Sequence, residues 1–256
     1  MPDTDGARLA LTLFTVVPVH GPREVTRATA RTALLLGPAV GAVLGAVSGL
    51  VAYGIDQVSG SRLLGAALAI ALMGLLTRGL HLDGLADTVD GLASHKPAQD
   101  ALAIMRKGDV GPLGAAALAG VLIVDTAALA SCRSAVVPLA IAAMAGRLAV
   151  VRAALPSVPV AEGASMGRTF GGSVPHVAMI AVTITVIAGA LGIGVVAYPG
   201  PRGRTLAAVA VGVAIVVAEL ARRHAVRRLG GVNGDVWGAL IEVATASALI
   251  VLACAR

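Results

Sequence analysis

The sequence predicts an all-α fold: a polytopic integral membrane helical bundle with about seven transmembrane helices, built as one domain over residues 1–256. Three observations carry this reading. Hydrophobic residues make up 57% of the chain and charged residues only 13%, where soluble domains sit near roughly 45–50% and about 25%. Mean hydropathy is +0.88. Apolar runs long enough to cross about 30 Å of hydrocarbon fall at 34–55, 63–80, 110–131, 135–155, 176–198, 205–221 and 236–254.

The elements begin with an apolar stretch from Leu9 to Val19, preceded by Arg8 and interrupted by Pro18. Ala28-Thr29-Ala30 has the look of a cleavage site, but Arg23, Glu24 and Arg27 separate it from that stretch. The segment therefore reads as an interfacial or re-entrant piece that is retained. The first spanning run carries Gly37, Gly41, Gly45 and Gly49 at every fourth position, a spacing that lets helix backbones approach closely. No low-complexity linker or internal repeat divides the later runs. Cys132 and Cys254 lie in or beside apolar runs without metal-ligand spacing, and read as small buried side chains.

The formal charge of +6 raises the question of nucleic acid. Only Phe14, Phe170, Tyr53, Tyr198 and Trp237 could stack on bases, and the arginines are scattered between apolar runs. That distribution suits loop charges that orient a protein in a lipid bilayer and argues against a nucleic-acid partner. With a cytoplasmic N-terminus, Arg8, Arg23, Arg27, Arg31, Arg78, Lys96, Arg106, Lys107, Arg152, Arg168, Arg222, Arg223, Arg227 and Arg228 fall on the inner side. The outer side keeps Arg62, Arg133, Arg202, Arg204 and Arg256, while Arg147 stands inside a run. This excess predicts N-terminus in, C-terminus out.

On that inner side lies Asp83-Gly84-Leu85-Ala86-Asp87-Thr88-Val89-Asp90-Gly91. Its three carboxylates, at i, i+4 and i+7, share one stripe of a helix. Like charges at that spacing repel, and the neighbours Leu, Ala, Thr and Val supply no balancing cation, which disfavours a merely solvated face. Three hard oxygen donors suit Mg²⁺ better than zinc, and Mg²⁺ usually binds through carboxylates plus substrate phosphates. Gly84 and Gly91 each follow an Asp and would clear room for a phosphate. Further polar segments map to the same face: Arg78 to His81, Met105 to Gly111 with Asp109, Glu162 to Gly172 with Arg168, and Gly230 to Glu242 with Asn233. Asp235 and Glu242, seven apart, would share a helix face.

Several of these residues have two readings. Arg147 either pairs with an acid such as Asp125 or reaches a ligand phosphate. His81 is a phosphate donor, a proton carrier or a hydrogen-bonded structural histidine. Asp109 is a second carboxylate of the site or an acid that favours the start of the following helix. Together these features describe a membrane enzyme with a metal site acting on a phosphorylated substrate.

The run from His81 to Gly91 resembles the signature of the cobalamin synthase family, adenosylcobinamide-GDP ribazoletransferase. Phe14 to Val19, Ile104-Met105-Arg106, Gly146-Arg147, Gly163 to Phe170 and Gly231 to Glu242 are similar to further motifs of that family, so the likeness covers nearly the whole chain. One departure stands out. The family commonly reads Lys/Arg-Asp-Ser-Arg-x-Gly after the Met, whereas Arg106-Lys107-Gly108-Asp109 exchanges acid and base.

The resemblance implies a reaction in which adenosylcobinamide-GDP and α-ribazole, or its 5′-phosphate, give cobalamin or its phosphate plus GMP. Asp83, Asp87 and Asp90 would hold Mg²⁺ on the pyrophosphate. One of them, or Asp235 or Glu242, would take the hydroxyl proton. His81, Gly84, Gly91, Asp109, Arg147, Arg168 and Asn233 would contact substrate. It implies a multi-pass protein of the plasma (inner) membrane with its site facing the cytoplasm, with self-association or association with other cobalamin-assembly enzymes as a further expectation. A CDP-alcohol phosphotransferase also places several Asp at a membrane surface, but with Ala-Arg after the first Asp-Gly and longer spacing. A divalent-cation transporter would need acids on both sides of the midplane, where only Asp125 and Glu219 lie deep.

Overall fold

The computed structural model describes residues 4–164, 167–197 and 201–254, which fold into a helical bundle. The order is α1 (Thr4–Phe14), α2 (Arg27–Ser59), α3 (Arg62–Leu76), α4 (Leu80–Ala93), α5 (Ala98–Met105), α6 (Pro112–Ser131), α7 (Val136–Ala153), α8 (Gly167–Phe170), α9 (His176–Ala197), α10 (Pro201–Leu229) and α11 (Gly234–Ala253). Six of these are long and apolar enough to cross a membrane, and a seventh span arises if the bent pair α3 and α4 is taken as one.

Local chemistry fixes the ends. The Thr26 hydroxyl accepts from Thr29 N–H at 3.1 Å and starts α2, and Gly60, with φ of 69°, ends it, as a left-handed glycine commonly does. The second apolar run, expected to continue to residue 80, stops at Leu76. The Thr77 hydroxyl turns back onto the Met73 and Gly74 carbonyls, and Arg78 and Gly79 adopt left-handed backbones with φ of 58° and 67°. Arg78 is held there by donating from Nη2 to the Thr12 carbonyl of α1 at 2.6 Å. The chain then restarts as α4 at 88° to α3. The N-terminal apolar stretch forms α1, which at about 16 Å is too short to span and buries Leu9, Ala10 and Phe14 as it packs on α2.

α7 is the central helix, buried without a break from Pro138 to Val151. Such burial is possible because glycines bring its neighbours close. A Cβ on Gly41 would strike the Ala143 backbone, one on Gly45 the Leu139 backbone and one on Gly49 the Val136 backbone. The glycine row read from the sequence is thus the α2–α7 contact. On the other side, Gly146 of α7 lets α11 approach at Ile241 and Thr245. These contacts leave the N-terminus of α11 and the C-terminus of α7 at one end of the bundle. There, a parallel bridge joins Val160 to Val232, with Ala161 N–H donating to the Val232 carbonyl and Val232 N–H to the Pro159 carbonyl, each at 3.0 Å. Cys132 is buried as expected, whereas Cys254 is exposed at the end of α11.

If backbone contact between α2 and α7 holds the bundle, Gly45→Val will lower the thermal unfolding midpoint of the detergent-solubilised protein. Gly54→Ala, in the same helix with nothing within 4 Å, will leave it unchanged or raise it, since Ala is favoured over Gly in a helix by up to about 1 kcal/mol.

Candidate active site

The site is built where α4 crosses α11. At Gly84 a Cβ would lie 2.6 Å from the Asp235 carbonyl oxygen, and at Gly238 one would lie 3.0 Å from the His81 carbonyl oxygen. Two glycines facing each other therefore let the helices meet backbone to backbone. The consequence is electrostatic. Asp87, buried in α4, feels the charges of Asp83, Asp235 and Asp90, and Asp235 feels Asp83. Among the described residues the ion pairs involve Asp5, Asp56, Glu219 and Glu242. Asp83, Asp87 and Asp235 thus form a carboxylate cluster with no ion-pair partner among the described residues. Their oxygens are not gathered into a ready-made metal cage: among the described residues no group of three or more His, Cys, Asp or Glu is arranged to hold a metal ion.

The third acid of the stripe does something else. Asp90 Oδ2 accepts from Gly111 N–H at 2.7 Å and Oδ1 accepts from Gly114 N–H at 2.8 Å. It caps the first turn of α6 from a neighbouring helix, where the exposed N–H groups and the helix dipole favour an anion. The expectation that Asp90 sides with Asp83 and Asp87 is corrected accordingly. Gly84 and Gly91 are corrected too. A Cβ at Gly84 would collide with Asp235, and one at Gly91 with the Met105 side chain; both clear room for helices, not for a phosphate. Asp109 stands exposed in the loop before α6. Arg168 falls in α8, but its side chain lies outside the described residues.

The start of α11 is set by Asn233. Its Oδ1 accepts from Val236 N–H at 2.9 Å, the usual N-cap bond, and its Nδ2 donates to Asp235 Oδ2 at 2.9 Å. Asn233 is a positioning residue for Asp235.

Glu242 lies two turns deeper on α11, about 10 Å along the axis. Its Oε1 is 3.9 Å from His81 Nδ1, and the same Nδ1 lies 3.5 Å from Arg147 Nη2. Arg147, only 2% exposed, also donates to the Ala143 carbonyl at 3.5 Å and is attracted to Glu242. Among the acids, Arg147 is drawn to Glu242, while its described hydrogen-bond contacts are the Ala143 carbonyl and His81. Asp125, Arg147, Glu242 and Thr245 line a small cavity of about 30 Å³, enough for an ordered water. His81 is buried between this network and Phe14, whose ring centroid is 6.3 Å from its own.

Two cavities open on either side of Asp235. One, of about 230 Å³, is polar and includes Arg106, Glu162 and Asn233. The other, of about 160 Å³, is largely apolar and includes Phe14 and Trp237 with Asp83 at its edge. Arg106, Phe14 and Trp237 were not among the residues singled out from the sequence as site residues. The available signal was the scarcity of aromatics, with the sole Trp two positions after Asp235.

These features define an integral membrane protein with an acidic site, flanked by two cavities, at one end of its helical bundle. The family described as cobalamin-5-phosphate synthase matches residues 6–253, and the chain belongs to that family. It is 37% identical to an adenosylcobinamide-GDP ribazoletransferase of Frankia casuarinae, covering 96% of this chain and 94% of that one. A protein of the same name from Nocardioides sp. is 36% identical over 96% and 97% of the two chains, and one from Stutzerimonas stutzeri 34% identical over 96% of each. No solved structure matches the chain.

The division among the three aspartates predicts opposite mutational effects. Asp90→Ala removes two charge-assisted bonds to buried N–H groups and will lower stability by roughly 1.5–3 kcal/mol. Asp83→Asn relieves repulsion and will leave stability unchanged or higher. Chemical denaturation in micelles measures both; equal losses would refute the distinction.

Proposed function

We propose that this chain joins adenosylcobinamide-GDP to α-ribazole, or to its 5′-phosphate, forming cobalamin or its 5′-phosphate and releasing GMP. The observation that carries the reading is the cluster Asp83, Asp87 and Asp235, of which Asp83 lines one cavity and Asp235 two, in a member of a family whose relatives bear the name adenosylcobinamide-GDP ribazoletransferase. A ribose hydroxyl oxygen forms a bond to the cobinamide-linked phosphorus. The bond from that phosphorus to the bridging oxygen breaks, and its electron pair leaves with GMP. The hydroxyl proton passes to a carboxylate. Asp235 is suited to take it, because Asn233 fixes its Oδ2 and it borders both cavities. Glu242 sits too deep to reach the phosphorus and serves to hold Arg147 and His81.

Mg²⁺ fits the oxygen donors present, since it binds through one or two carboxylates together with substrate phosphates. Asp83 and Asp87 would hold it; Asp90 is committed to α6. When bound, the ion neutralises charge on the pyrophosphate. The site's end of the bundle also carries most of the chain's Lys and Arg, including the run Arg222 to Arg228 at the close of α10. That bias supports a plasma-membrane protein whose site faces the cytoplasm. A transport reading is disfavoured, because Asp125 is buried beside a small cavity it shares with Arg147 and Glu219 is bound by Arg222 and Arg223 at 2.6 and 2.8 Å.

The reaction predicts ribazole-dependent GMP release by the purified protein, and its absence would sink the assignment. Asp87→Asn will reduce that release by at least about a hundredfold, since even outer-shell partners of a metal cost 10–100-fold. Unchanged turnover with an unchanged Mg²⁺ response would refute the metal role.

A further inference from the structure

The chain has one Trp, two Phe and two Tyr in all, yet Phe14 and Trp237 both line the cavity that also holds Asp83 and Asp235. Trp237 packs edge-on to Phe170 with centroids 6.0 Å apart, and Phe14 lies on the opposite side next to His81. Trp237 is buried, and its Nε1 has no hydrogen-bond partner among the described residues. Phe14, Leu80, Val150, Trp237 and Ile241 give the cavity of about 160 Å³ its apolar wall, while Asp83 and Asp235 supply carboxylates at one side of it. An apolar enclosure with a few convergent polar groups is the usual form of a small-molecule site.

The cavity across Asp235 is different in kind. It has Arg106, with a guanidinium lying against Gly163, and Glu162, which accepts from Gln99 Nε2 at 3.3 Å. Among the described residues no ring borders it, and Arg106 is the cation that does. Gly234 and Asp235 belong to both cavities.

We propose that the two cavities are separate half-sites: the aromatic one seats the planar base of the ribazole, and the Arg106 side takes the diphosphate of the nucleotide-linked substrate. This rests on the reaction read above and adds the placement of each substrate. A planar heterocycle gains by burial against Trp and Phe faces, whereas a diphosphate needs a cation and backbone groups. With the base between Phe14 and Trp237, its ribose points out along Asp83 and Asp235. Asp235, common to both cavities, then stands where the hydroxyl meets the phosphorus. Trp237 and Arg106 are specificity residues for different substrates.

The single tryptophan makes the test direct. Titrating α-ribazole into the purified protein will change Trp237 fluorescence in a saturable way, while GMP will not. Trp237→Ala will raise KM for α-ribazole about tenfold or more with little change in KM for adenosylcobinamide-GDP, and Trp237→Phe, which keeps a ring in the wall, will raise it less. Leu80→Lys, at a half-exposed position of the same wall, checks the result in a variant whose folding is not at issue, and will weaken the fluorescence response about tenfold. Arg106→Gln, on the exposed loop side, will raise KM for adenosylcobinamide-GDP alone. Protein that turns over with no ribazole-dependent change at Trp237, or variants with the two KM effects exchanged, overturns the placement. Saturable ribazole binding at Trp237 without any GMP release supports the cavity and overturns the reaction instead.

Discussion

The backbone contact between α4 and α11 at Gly84 and Gly238 is the constraint on which the site depends. Any side chain at Gly84 would push α4 off the Asp235 backbone, and the carboxylates of the two helices would separate. The contact is the last in a series. Gly146 holds α11 against α7, and Gly41, Gly45 and Gly49 hold α7 against α2. Inside a membrane, lipid tails are as apolar as leucine, so helices associate mainly through such close van der Waals packing. The series ends by forcing like charges together, and the packing energy is what sustains their repulsion.

Charge is allotted with the same economy. Asp90 faces the N–H groups of α6, Glu219 is bound by two arginines of its own helix, and Glu242 faces Arg147 and His81. Each of these acids has a structural partner. Asp83, Asp87 and Asp235 have one another and, for Asp235, an amide donor. Acids without a described cation partner, two of which line cavities, suit a ligand bearing or bringing positive charge.

Much of this was open to reading in the sequence, and the exceptions have physical causes. The spans followed from hydropathy, and the glycine row of α2 from its spacing. The break at Thr77 to Gly79 was hidden inside an apolar run, because a left-handed Arg78 is sustained by the Thr12 carbonyl, 66 positions away. Asp90 could not be told from Asp83 and Asp87, since helical periodicity places all three on one stripe and its partners lie 21 and 24 positions on. Gly84 and Gly91 adjoin acids, so a phosphate cradle and a helix crossing look alike in one dimension. Asp235 and Glu242 share one helix, and their difference in depth puts Asp235 at the two cavities and Glu242 beside His81.

That depth bears on why the membrane interior keeps charged groups at all. Burying an arginine and a glutamate costs more than burying apolar residues of similar volume, and removing one partner alone is worse, at about 3–5 kcal/mol. Stability is therefore a poor reason for Arg147 and Glu242. Their position gives a better one. Both meet His81 on Nδ1, which leaves the rest of the ring toward Phe14 and the aromatic cavity. A charged floor that accepts His81 in one orientation fixes the wall above it. The bundle thus trades some stability at its centre for a cavity wall held in one place, the kind of rigidity that positions a bound molecule.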